Sequence, residues 1–191
     1  NTYKATDVLA TEDGSVYICG RANMPFVIKL DTAGNELWVK YLPEFPDVGS
    51  SVNPEIFSFL HLVSDGNGGV IAYGRNEYND DTHGLIRLNS DGTIVWTLQN
   101  IEGESYNLSN AHDVIWRDDQ NIYLILPLEN NDYDNIITHK IKIQDGTILK
   151  TQSLISSFDR YVVYTANPPR LNDHWLFVVT GNKFLKINTV I

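Results

Sequence analysis

Two stretches of this 191-residue sequence concentrate side chains that could hold a cation or a polar ligand: Asn76-Glu77-Tyr78-Asn79-Asp80-Asp81 and Glu129-Asn130-Asn131-Asp132-Tyr133-Asp134-Asn135. Each combines carboxylates, amides and a tyrosine. Hard oxygen donors of this kind suit Ca²⁺, which gathers roughly six to eight of them. Neither stretch has the full EF-hand spacing, so calcium stands beside a plainer reading, a solvated loop rich in turn formers. A third reading gives Tyr78 and Tyr133 a contact role, because tyrosine presents a large amphipathic surface at low entropic cost. The candidate ligand-binding residues are therefore Tyr78, Asp80, Asp81, Asp132, Tyr133 and Asp134.

Other reactive residues are more isolated. His112-Asp113 could supply a base and its orienting carboxylate, but a base also needs a nucleophile or metal within hydrogen-bond reach. The sequence supplies no such partner, so no catalytic residue is assigned. Glu102 and Glu104, like the adjacent Asp80 and Asp81, are not placed by their spacing at a glycosidase separation. Gly66-Asn67-Gly68-Gly69 lacks the following Lys-Ser/Thr and helix of a phosphate loop and reads as a hairpin turn. Cys19, the one cysteine, lies in an apolar run and reads as a small buried thiol. Trp116 and Trp175 read as core residues, and Asn107-Leu108-Ser109 matches a glycosylation acceptor.

A formal charge of −10 argues against nucleic-acid backbones and anionic membranes, which require clustered Lys and Arg. No apolar run approaches the roughly 18 residues of a membrane span, so membrane insertion is not expected. A chain opening on Asn1 rather than Met reads as a processed or excised piece.

What positions these residues is a repeat. A Gly/Asp turn followed by a short apolar run recurs at Val16, Val70, Ile122 and Trp175, at steps of 54, 52 and 53 residues. Turn formers and β-branched or aromatic runs alternate within each unit, with no helical period. A period in this range predicts an all-β chain, a β-propeller with one four-stranded antiparallel blade per repeat. The single domain spans 1–191, with repeats at about 3–42, 55–99, 110–153 and 160–191. The fourth lacks an outer strand. Three and three-quarter blades of a larger ring, or a small four-bladed ring with one short blade, both satisfy this, and the first is preferred.

Leu30-Asp31-Thr32-Ala33-Gly34-Asn35-Glu36-Leu37-Trp38 and Leu88-Asn89-Ser90-Asp91-Gly92-Thr93-Ile94-Val95-Trp96 share a glycine four residues before a tryptophan. This phrase resembles the tryptophan-docking repeat of PQQ-like propellers, as found in secreted bacterial propeller proteins. The resemblance implies that each outer-strand tryptophan packs against the neighbouring blade. It thins in the third repeat, where Lys150 takes the tryptophan position. The adjacent cysteines expected of quinone-dependent dehydrogenases are missing, so no cofactor is expected from the resemblance.

In such a fold the first–second and third–fourth strand turns share one end, and the remaining connections open at the other. Those latter connections hold eleven acidic residues against three basic. The leading expectation is a non-catalytic binding or scaffold module, extracellular, cell-surface or virion-associated, that contacts a protein or glycan through this acidic face. A carbohydrate-active enzyme with a site at the channel mouth is one alternative. A structural component of an appendage or virion, assembling with neighbouring subunits through an exposed strand edge, is another.

Overall fold

A computed structural model describes residues 3–42, 57–76, 83–101, 114–130, 133–156, 175–180 and 183–188. Among these residues every regular element is a strand, and no helix is long and apolar enough to cross a membrane. The first sheet comprises β1 (Lys4–Ala10), β2 (Val16–Arg21), β3 (Pro25–Leu30) and β4 (Glu36–Tyr41). The second comprises β5 (Phe57–Ser64), β6 (Val70–Asn76), β7 (His83–Leu88) and β8 (Ile94–Ile101). The third comprises β9 (Val114–Arg117), β10 (Asn121–Asn130), β11 (Tyr133–Lys142) and β12 (Ile148–Ser156). A hairpin of β13 (Trp175–Thr180) and β14 (Lys183–Asn188) falls in the fourth repeat. Each four-stranded sheet is a meander in which neighbours in sequence pair antiparallel. The all-β class and the repeated four-stranded unit agree with the sequence reading, and these sheets do not close into a ring. Residues 160–174 of the fourth repeat lie outside the described residues.

The core sits between successive sheets. Strand β6 makes this plain: Val70 and Ala72 pack with Tyr17, Cys19 and Val27 of the first sheet. The alternate residues Ile71 and Tyr73 pack with Ile122, Leu124 and Ile137 of the third. A strand with both faces buried cannot alternate apolar with polar residues, and the run Val70-Ile71-Ala72-Tyr73 is apolar throughout.

Polar clasps join the sheets at the end where the β1–β2 and β3–β4 turns lie, here termed the lower end. The Trp38 indole N–H donates to the Ser90 carbonyl at 3.0 Å, and Lys29 Nζ donates to the same oxygen at 3.1 Å. One repeat later the Trp96 indole donates to the Ile143 carbonyl at 2.8 Å, and Arg87 donates to that carbonyl at 3.2 Å. Trp38 stands directly across the ladder from Lys29, and Trp96 from Arg87. Each indole lies against a turn glycine. A Cβ on Gly92 would meet the Trp38 ring at 3.1 Å, and one on Gly146 would meet the Trp96 ring at 3.0 Å. Both glycines also have positive φ, 81° and 74°, a region that L side chains rarely enter. The turn glycine therefore serves twice, closing its own hairpin and seating a neighbour's indole.

Further contacts join the inner strands. Asp7 accepts the Leu62 amide at 2.8 Å, Thr6 Oγ1 donates to the Phe59 carbonyl, and the Tyr17 hydroxyl donates to the Gly68 carbonyl at 2.6 Å.

Two substitutions separate the parts of the clasp. Trp96→Ala removes the ring and its hydrogen bond and is expected to cost about 3 kcal/mol in urea unfolding. Trp96→Phe keeps most of the packing and leaves the carbonyl without the indole donor, an expected cost of about 1 kcal/mol. Equal losses in the two variants would show that ring packing contributes little.

Candidate functional site

Of the six residues singled out from sequence, Tyr78, Asp80, Asp81 and Asp132 lie outside the described residues. The other two, Tyr133 and Asp134, open β11, where the backbone pairs Asn130 with Tyr133 and Glu129 with Asp134. Asp134 also pairs with Ser156 of β12. The loop reading of the stretch 129–135 is thereby corrected to the two residues 131–132, because the antiparallel ladder continues through Leu128 and Asn135. The β6–β7 connection lies between Asn76, which ends β6, and His83, which begins β7. Both connections leave the upper end of adjacent sheets, at the same place in the repeat. His112, Asp113, Glu102, Glu104 and Asn107 also lie outside the described residues. Among the described residues no group of three or more His, Cys, Asp or Glu is arranged to hold a metal ion.

At the lower end the carboxylates are engaged by their own turns. Asp31 Oδ1 accepts the amides of Ala33 and Asn35 at 2.9 and 2.8 Å. Asp65 Oδ1 accepts those of Asn67 and Gly69, both at 2.8 Å. Its Oδ2 pairs with Arg87 at 2.9 Å, with both side chains nearly enclosed. Asp118 Oδ1 accepts the amides of Gln120 and Asn121, and its Oδ2 accepts the Tyr123 hydroxyl at 2.9 Å. Asp13, Asp91 and Asp145 accept the amides of Ser15, Thr93 and Thr147. For Asp13, Asp31, Asp91, Asp118 and Asp145 these bonds favour the ionised form. The Thr11 hydroxyl holds Asp13 below the usual carboxylate range, and Asn35 does the same for Asp31. Burial would raise Asp118, but the hydrogen bonds from Gln120, Asn121 and Tyr123 outweigh it. Asp145 is drawn down to about 2 by Thr147 and Lys142.

The described upper end holds a feature the sequence reading missed. His61, Tyr73 and His83 form a column with ring planes within about 10° of parallel. The Tyr73 hydroxyl and His83 Nδ1 are 2.7 Å apart, and both residues are fully buried. His83 begins β7 opposite Arg75. The signal available was positional: His83 precedes a run that continues the alternation of β7 by one residue. At 0 % exposure this pair anchors the β6–β7 corner and does not itself meet solvent. In the first sheet, the exposed hydroxyls of Tyr3 and Tyr41 meet at 2.7 Å, and Tyr3 packs edge-on against Phe26.

Cys19, the sole thiol, is buried as expected. Burial pushes it up to about 12, with Thr6 Oγ1 at 3.6 Å opposing the shift. A nucleophile needs the thiolate, and this environment withholds it.

Two measurements follow from this chemistry. Cys19 is expected to resist a thiol-specific disulfide reagent at pH 8 in the folded protein and to react within seconds in urea; fast labelling of the native chain would place the thiol in an open site. Asp13, Asp31, Asp91, Asp118 and Asp145 have depressed folded values, so their stabilisation is full above about pH 4. It is lost as pH falls through the folded values, toward about 2 for Asp145. The urea midpoint is expected to drop between pH 5 and 2, and Asp145→Asn to flatten part of that drop.

No protein-family model and no curated protein matches this chain. Among solved structures, the chain is similar to the crystal structure of a protein of unknown function from Bacteroides caccae. The alignment covers 99% of this chain and 79% of that one, at 10% sequence identity and a TM-score of 0.39.

Proposed function

We propose that the three four-stranded sheets are successive blades of a β-propeller belonging to a larger ring. In this reading the chain is a non-catalytic binding module whose upper-end connections meet a protein or glycan. One observation carries the choice of face. Six lower-turn aspartates, Asp13, Asp31, Asp65, Asp91, Asp118 and Asp145, all accept hydrogen bonds from amides of their own turns. Their charge is accounted for by turn formation, which repeats from sheet to sheet. The acidic residues of the 76–83 and 128–135 segments follow no such repeated turn phrase. Departures from a repeated scaffold are where recognition concentrates. Tyr78 and Tyr133 would supply contact area, and Asp80, Asp81, Asp132 and Asp134 would favour basic or hydroxyl-rich ligands. An extracellular, cell-surface or virion setting suits such a module.

The test replaces Asp80, Asp81, Asp132 and Asp134 with Asn together and compares the variant with the parent on a glycan array and a panel of basic proteins. Any ligand held by the parent is expected to bind the variant at least tenfold more weakly at low salt, with no change in melting temperature. Ligand binding that survives all four substitutions unchanged would remove this face from consideration.

A further inference from the structure

The second and third sheets each bury one face against the sheet before them, and the first sheet carries the same face with nothing described against it. Register makes the comparison residue by residue. In the second sheet the cross-strand rows facing the first are Leu62–Ala72–Ile86–Thr97 and Ser64–Val70–Leu88–Ile94. Of these, Leu62, Ala72, Ile86, Val70 and Leu88 are buried core. The matching rows of the first sheet are Val8–Ile18–Ile28–Val39 and Ala10–Val16–Leu30–Glu36. Seven of the eight residues in these rows are apolar, yet Val8 is 65% exposed where its counterpart Leu62 is 6% exposed. Ile18 and Ile28 are only half-buried, where Ala72 and Ile86 are fully enclosed.

The turn glycine tells the same story independently. Gly92 and Gly146 each carry a neighbour's indole within 3.1 Å of the Cβ position. Gly34 occupies the same place in the first sheet, with the same positive φ of 84°, and nothing lies within 4 Å of that position. The Thr32 carbonyl stands where Ser90 accepts both Trp38 and Lys29.

We propose that this open face is a docking surface for another four-stranded sheet of the same repeat, carried on the same polypeptide outside residues 1–191. Its outer-strand tryptophan would lie on Gly34, and a Lys or Arg on its third strand would donate to the Thr32 carbonyl. The interface would continue, by one step, a series already present twice within the chain. A second copy of the chain is the poorer occupant, because its Trp38 and Trp96 are already seated on its own Gly92 and Gly146. The inference rests on the reading of these sheets as consecutive blades and makes no use of the acidic connections.

The experiment supplies such a sheet. Residues 1–56 are duplicated in front of Tyr3, so that the chain's own connection joins the added repeat to β1. Docking is expected to shift the Gly34 Hα resonances upfield by the indole ring current, to match those of Gly92 and Gly146. It is also expected to protect the added repeat's amides from hydrogen exchange. Trp38→Leu in the added repeat alone should abolish the Gly34 shift, and Ile18→Asp in the original repeat should abolish the protection as well. An added repeat that exchanges freely, or that leaves Gly34 unshifted, overturns the proposal. Light scattering on the unmodified chain should find a monomer. A dimer dissociated by Val8→Asp would assign the face to a second copy and overturn the proposed source. Either failure would leave the ligand-binding reading intact, since that depends on the four aspartate substitutions.

Discussion

One shared acceptor organises the molecule. At each join between sheets a single backbone carbonyl receives both a tryptophan indole and a basic side chain from the preceding sheet. The ring rests on a glycine that has no Cβ to obstruct it. Hydrophobic burial between sheets is non-directional and would tolerate sliding. The clasp is directional, so it fixes the distance and rotation between one sheet and the next. Lys29 adds to this by lying over the Tyr17 ring at 5.2 Å while reaching the Ser90 carbonyl. Its ammonium is thereby held at a buried join with partners for its charge, as such a group requires.

The clasp also divides labour between the two ends of the sheets. Below, aspartates, glycines, basic residues and tryptophans form a network that repeats with small variation. Above, the Tyr73–His83 contact closes one corner from within the core, and the connections beyond it differ in length and composition from repeat to repeat. A scaffold whose rigidity is concentrated at one end leaves the other free to diverge without loss of packing.

Much of this was legible in the sequence because it was repeated. The spacing of Val16, Val70 and Ile122 located the second strand of each sheet, and the Gly-to-Trp interval located the join. The basic residue that completes the clasp was visible in Lys29-Leu30 and Arg87-Leu88, but its partner, a carbonyl 56 to 61 residues away, leaves no mark on side-chain type. Strand ends were less legible. Leu128, Glu129 and Asn130 look like loop residues, and pairing with Asn135, Asp134 and Tyr133 overrides that local preference. Likewise, nothing in the residues around His83 announces a hydrogen bond to a tyrosine ten positions earlier. Of the candidate site, the sequence could name residue types and the repeat could place them at one end. Their mutual geometry depends on contacts that no local pattern encodes.

The ladder between the third and fourth strands slips at an equivalent point in each four-stranded sheet, between Lys29 and Leu30, Arg87 and Leu88, and Lys140 and Ile141, and the second sheet slips once more between His83 and Gly84. On the partner strands Leu37, Val95 and Leu149 are left unpaired, and all three are exposed despite being apolar. An extra residue of this kind leaves the pairs on either side of it in register and bends the strand that carries it. Trp38 faces Lys29 and Glu36 faces Leu30 with Leu37 bulged between them, so the outer strand turns at the step where its tryptophan must reach the next sheet. Deleting Leu37 would keep both pairs and straighten the strand: the indole would stay on its face but lose its aim at Gly92.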